Sequence, residues 1–175
     1  MGREEQGVRG VRRYALVPRT LVFLFCDDRV LLLQGAPDKR IWPGRYNGIG
    51  GHLERGEDLL QCARRELLEE TGLETVDLRL CGVITVDAEP DRGVLVGIFR
   101  GDLASCLPVQ GSAEGSGQWI RMEETSQLPL VPDLHQILPR VFSWNPESPV
   151  FHAHSYYDDQ EILQIRISTW SPPRR

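Results

Sequence analysis

The sequence predicts a sandwich of the α/β or α+β class built on a mixed sheet. Three observations point there. Strand-like and helix-like stretches are intermingled without a strict βαβ rhythm. Of 175 residues, 41% are hydrophobic and 26% charged, the balance of a globular core. No linker or repeat divides the pattern, so residues 14–170 read as one domain between loose tails at 1–13 and 171–175.

The elements follow in order. Tyr14 to Cys26 is rich in β-branched and aromatic residues and reads as a strand. Asp27-Asp28 turns the chain, and Arg29 to Gln34 returns. Gly35 to Arg45, with two prolines, is a loop, and Tyr46 to Leu53 is glycine-rich and extended in places. Asp58 to Glu70 reads as a helix, because Leu60, Ala63 and Leu67 recur at spacings of three and four. Gly72 then supplies a helix stop. Val76 to Asp87 and Gly93 to Arg100 pair as strands across the turn Ala88 to Arg92. After a loop from Leu103 to Gly117 come a short strand, Gln118 to Met122, and a helix, Pro132 to Phe142, with proline in its first turn. Val150 to Tyr157 and Glu161 to Ser168 form a closing hairpin.

Composition removes several classes of function. Acidic residues outnumber basic ones 25 to 20, for a net charge of -5, which speaks against polymeric nucleic acid as a partner. The longest apolar runs, Leu21 to Cys26 and Val30 to Leu33, are far short of the roughly 20 residues that span a bilayer. No apolar stretch follows Met1, and Gln6 stands where a myristoylation signal has Ser or Thr. A cytoplasmic protein is expected, with Cys26, Cys62, Cys81 and Cys106 as reduced thiols.

The acidity is concentrated. From Glu54 to Glu74 seven acidic residues face three basic ones. Glu66, Glu69 and Glu70 stand at i, i+3 and i+4, so one helix face carries three mutually repelling carboxylates. A hard divalent cation would compensate them and bind alongside substrate phosphates. Gly48, Gly50 and Gly51 just ahead of the helix permit close approach of a ligand to the backbone.

The run Gly51-x5-Glu57-x7-Arg65-Glu66-Leu67-x-Glu69-Glu70-x-Gly72-Leu73 resembles the Nudix box at every specified position. The resemblance implies a Nudix α/β/α sandwich with a mixed β-sheet, and hydrolysis of a nucleoside diphosphate linked to another group with Mg2+ or Mn2+. By the same resemblance Glu66, Glu69, Glu70 and the Gly50 carbonyl are metal ligands. Arg65 and Glu57 brace the loop and helix, and either Glu66 or Glu69 activates water.

Trp42 to Gly51 resembles the branch that contains MutT and the mammalian 8-oxo-dGTP diphosphatase. That likeness makes Asn47 a purine-binding amide, which can both donate and accept, although Asn47 also suits a turn before Gly48. It makes Thr20 a pocket-lining residue, Glu114 a glutamate approaching the metal, and Asp133 a base reader. The pattern is broken where Leu134 replaces a second aspartate, Val131 a stacking tryptophan and Ile41 an aromatic residue; a pocket lysine is also replaced, and the loop Gly35 to Arg40 differs. A small-molecule nucleotide is thus the expected partner. A triphosphate, oxidised or not, is favoured. ADP-ribose is the rival, since Pro90 lies one residue beyond the proline position of that branch. A non-catalytic nucleotide sensor is disfavoured because every box glutamate is kept. The sequence does not specify the oligomeric state.

Overall fold

The computed structural model describes residues 13–38, 41–74, 76–110 and 115–168. The expected tails, Arg13 apart, and Glu114 lie outside the described residues. Strand β1 (Ala15–Cys26) turns into β2 (Arg29–Gly35), and a very short β3 (Tyr46–Asn47) precedes helix α1 (Leu59–Thr71). Then come β4 (Arg79–Glu89), β5 (Arg92–Asp102), β6 (Gly115–Arg121), helix α2 (Leu134–Ser143), β7 (Phe151–Tyr157) and β8 (Leu163–Ser168). The strands make one mixed sheet in the order β3-β2-β1-β5-β4-β7-β8, with β6 on the other edge of β2. β1 runs parallel to β5 and β4 parallel to β7, while the remaining ladders are antiparallel.

Alternation along β1 sorts the core into two layers, because strand side chains repeat every two residues. Phe23 and Phe25 pack with Leu134, Ile137, Leu138 and Val141 of α2. Val22 and Leu24 pack with Ala63 and Leu67 of α1 on the opposite face. Helix, sheet and helix therefore form three layers, the α/β/α sandwich expected.

β1 and β2 stay paired only near their hairpin, from Cys26↔Arg29 to Leu24↔Leu31. Beyond it they splay, and residues 46–52 enter the gap. Val22 and Ile49 exchange both backbone hydrogen bonds, at 2.7 and 3.1 Å, while Leu33 and Gln34 of β2 pair with β3. This wedge explains why the expected extended stretch Tyr46 to Leu53 is a strand over two residues only. Tyr46 also donates its N–H to the Pro129 carbonyl and accepts from the Val131 N–H, which ties the lead-in to α2 against β3.

One expectation is overturned. Cys26 and Cys106 form a disulfide, with Cα atoms 5.3 Å apart, while Cys62 and Cys81 are free and buried. The parallel ladder sets Phe25 opposite Asp102, and Leu103 N–H donates to the Phe25 carbonyl, so the chain leaving β5 returns past Cys26. A spacing of 80 residues hid that meeting. Among the described residues no helix is long and apolar enough to cross a membrane.

Candidate active site

Local rules fix α1 at both ends. Asp58 caps it by accepting the Gln61 N–H, and the Gln61 side chain accepts the Asp58 N–H in return. Gly72 ends it at φ 74°, a left-handed turn that glycine enters without penalty. The helix is thus set directly behind the Gly50–His52 loop. That loop is held to β1 by the Thr20 N–H donating to Gly51 O and the Leu53 N–H donating to Pro18 O, at 3.0 and 3.1 Å.

Arg65 organises the carboxylates. Its Nε and Nη2 donate to the two Glu57 oxygens at 2.7 and 3.1 Å, a fork-to-fork pair. Nη1 reaches Glu66 at 2.8 Å and Glu69 at 3.1 Å, and Nη2 reaches the His52 carbonyl at 3.1 Å. Arg65 holds Glu57 below the usual carboxylate range, helped by the Glu54 N–H. Glu57 in turn pushes the Arg65 guanidinium further up, so it stays charged. The expected repulsion along α1 is therefore balanced in part by Arg65.

The three helix carboxylates have different surroundings. Glu69 is outermost, with its side chain 58% exposed against 14% for Glu66. Glu66 presses on Gly51, where a Cβ would collide with its carboxylate. Glu70 is buried, and its Oε2 accepts the Gly50 N–H at 2.9 Å. A Cβ at Gly50 would strike the Thr20 carbonyl, so only glycine fits there. Among the described residues, no three His, Cys, Asp or Glu side chains converge on one point. Glu66 and Glu69 are turned to the Arg65 guanidinium instead. The donor set nevertheless fits a hard cation: carboxylate oxygens of unequal burial stand beside Gly50 and Gly51, which have no side chains to obstruct an ion.

A cleft opens beside this cluster. Its lining includes Gly50 and Glu70 of the cluster together with Asn47, Val131 and Trp42. The Asn47 Oδ1 accepts the Gly48 N–H at 2.9 Å, so the residue sets a turn and lines the cleft at once. Asp133 begins α2 two residues past Val131 and is not among the lining residues. Burial pushes its carboxyl up. Thr20 faces away: its Oγ1 lies 3.3 Å from Cys62 Sγ, against α1. Its neighbour Leu21 takes the other face of β1 and reaches toward Gly48. Glu114 lies outside the described residues. Trp42 and Arg45, which the sequence reading left as loop, also line the cleft. On the far strands, His154 contacts Thr85 at 3.0 Å and Asp87 at 3.3 Å.

A family model described as the NUDIX domain matches residues 15–141. The chain belongs to the Nudix family. This Nudix hydrolase is 31% identical over 145 residues to an oxidized purine nucleoside triphosphate hydrolase of Mus musculus, covering 82% of this chain and 88% of that one. A Danio rerio protein of the same description is 37% identical over 106 residues, covering 60% and 66%. Among solved structures, the mutator MutT protein of Bacillus halodurans matches with a TM-score of 0.72 at 23% identity, covering 87% and 97%, a likeness of fold. Hydrolases of the family generally use a divalent metal ion.

Proposed function

We propose that this Nudix hydrolase cleaves purine nucleoside triphosphates, oxidised ones such as 8-oxo-dGTP among them, to the monophosphate and pyrophosphate. The observation that carries the reading is one cleft shared by Asn47 and the Gly50–Glu70 end of the carboxylate cluster. A base held at Asn47 has its phosphates directed to the carboxylates. The substrates named in the descriptions of the mouse and zebrafish relatives support the same class. Because such triphosphates are pooled in the cytoplasm, the enzyme is expected to act there.

Mg2+ or Mn2+ is the proposed metal, with Glu66, Glu69, Glu70, Glu114 and the Gly50 carbonyl as its ligands. When bound, the ion screens the phosphates, polarises a phosphorus–oxygen bond and lowers the pKa of water. Glu57 and Arg65 hold the loop against α1 so that the donors keep their places. Glu66 or Glu69 takes the proton of the attacking water. The Asn47 amide N–H groups, unused in its turn, donate to the purine edge. Asp133, half-buried, more readily protonated than usual and outside the cleft lining, is proposed to reach the same edge from the start of α2. Thr20 contributes through its backbone, which pins Gly50 and Gly51. With one aspartate in place of two, discrimination between oxidised and ordinary purines should be modest.

The test is a panel of dGTP, 8-oxo-dGTP and ADP-ribose with Mg2+, products identified by mass. Monophosphate and pyrophosphate from the purine triphosphates are expected. Turnover of ADP-ribose with both triphosphates inert would move the protein to the rival branch.

A further inference from the structure

The outer wall of the cleft carries a residue in a backbone state that disfavours its side chain. Trp42 has φ 57°, in the left-handed region that bulky residues rarely occupy. Among the described residues, the other two non-glycine residues with positive φ, Asp27 and Glu161, lie in the turns of the β1–β2 and β7–β8 hairpins. Trp42 lies instead in the longer connection between β2 and β3. It opens the turn Trp42-Pro43-Gly44-Arg45, closed by the Arg45 N–H donating to the Trp42 carbonyl at 3.2 Å. Pro43 and Gly44, the latter at φ 68°, occupy the positions a type II turn assigns to proline and glycine. The surrounding fold holds this turn firmly: Gly44 N–H donates to Gly35 O at 3.1 Å, and Arg45 Nη1 donates to Leu130 O at 2.9 Å.

The indole of this turn has a cation beside it. The Arg45 guanidinium lies over its ring, 5.4 Å from the centroid. Trp42 lines the cleft together with Asn47 and Val131 and remains 36% exposed. Strain that the fold over-determines in this way gathers at ligand clamps, and an exposed aromatic face takes a nucleobase of any edge pattern.

We propose that Trp42 is the base-stacking residue of this enzyme, receiving the purine ring on its indole while Arg45 backs it. This rests on the nucleotide reading above and adds a division of labour. Trp42 supplies affinity for a large π surface, and Asn47 supplies discrimination at the edge. A purine stacked there points its phosphates along the cleft to Gly50 and Glu70.

The experiment uses the full chain and Trp42→Ala, Trp42→Phe and Trp42→Gly. Trp42→Ala should raise KM for dGTP and 8-oxo-dGTP equally, by roughly tenfold, with kcat changed less than about threefold. Trp42→Phe should stay within about threefold of the parent, since a smaller aromatic face still stacks. Trp42→Gly should bind as poorly as the alanine variant yet melt at a higher temperature, because glycine accepts φ 57° freely. An unchanged KM in Trp42→Ala, or a loss confined to kcat, overturns the proposal. Calorimetry with GMP separates it from the question of turnover. If no triphosphate is hydrolysed, the functional reading falls, and stacking stands only if the parent binds GMP and Trp42→Ala binds it at least tenfold more weakly. Equal binding, or none by the parent, overturns it.

Discussion

The two helices of the sandwich are held by different means. α1 has a reciprocal cap at Asp58 and a glycine stop at Gly72, while its exposed side carries charges joined through Arg65. α2 has no side-chain cap and contains Pro139, yet it buries Leu134, Ile137, Leu138 and Val141. α1 is thus specified largely by its own sequence, and α2 by the core it fills. A helix secured at its ends can hold mutually repelling glutamates toward a ligand. A helix secured by its apolar stripe cannot spare that stripe.

Substitutions should separate the two. The largest effect is expected on α1 chemistry: Glu69→Gln should lower kcat by about 10²–10⁴-fold, with the melting temperature nearly unchanged, since that side chain is mostly exposed. An unchanged rate would remove Glu69 from the reaction. Leu138→Ala on α2 should do the reverse, costing about 2–5 kcal/mol in denaturant unfolding while the folded fraction keeps its kcat. Gly72→Ala should cost about 1–2 kcal/mol, because alanine resists the left-handed conformation. A smaller loss would show that the α1 stop matters less than its geometry suggests.

The smallest effect concerns Asp133, where α2 begins. Burial raises its folded pKa above the unfolded value, so the folded state keeps a proton that the unfolded state has released. Its contribution is fully present below the ordinary carboxylate range and is lost as pH rises through the folded value. Asp133→Asn should therefore raise the melting temperature at neutral pH, and the gap should close in acid. A gap that persists in acid would mean that charge burial is not its cause.

The same contrast explains what the sequence disclosed. α1 was legible to within a residue because its period, cap and stop are local signals, and the Nudix box lies on it. The Glu57–Arg65 brace was implied only by the resemblance to that box. The splay of β1 from β2 was not, because it depends on residues 46–52 entering from elsewhere. Nor was the direction of Thr20, since one step of register decides which face a strand residue takes. Trp42 was given no role of its own because a loop residue acquires its meaning from the surfaces brought around it. The cysteine pairing required knowing that β1 and β5 lie side by side.

That pairing makes residues 26–106 a closed covalent ring. The Gly50 loop, α1 and Trp42 all belong to it, whereas α2 and Asp133 hang outside on the exocyclic chain. A protease that nicks the exposed β4–β5 turn would cut the ring without releasing a fragment, and the pieces would part only after a reductant opened the bond.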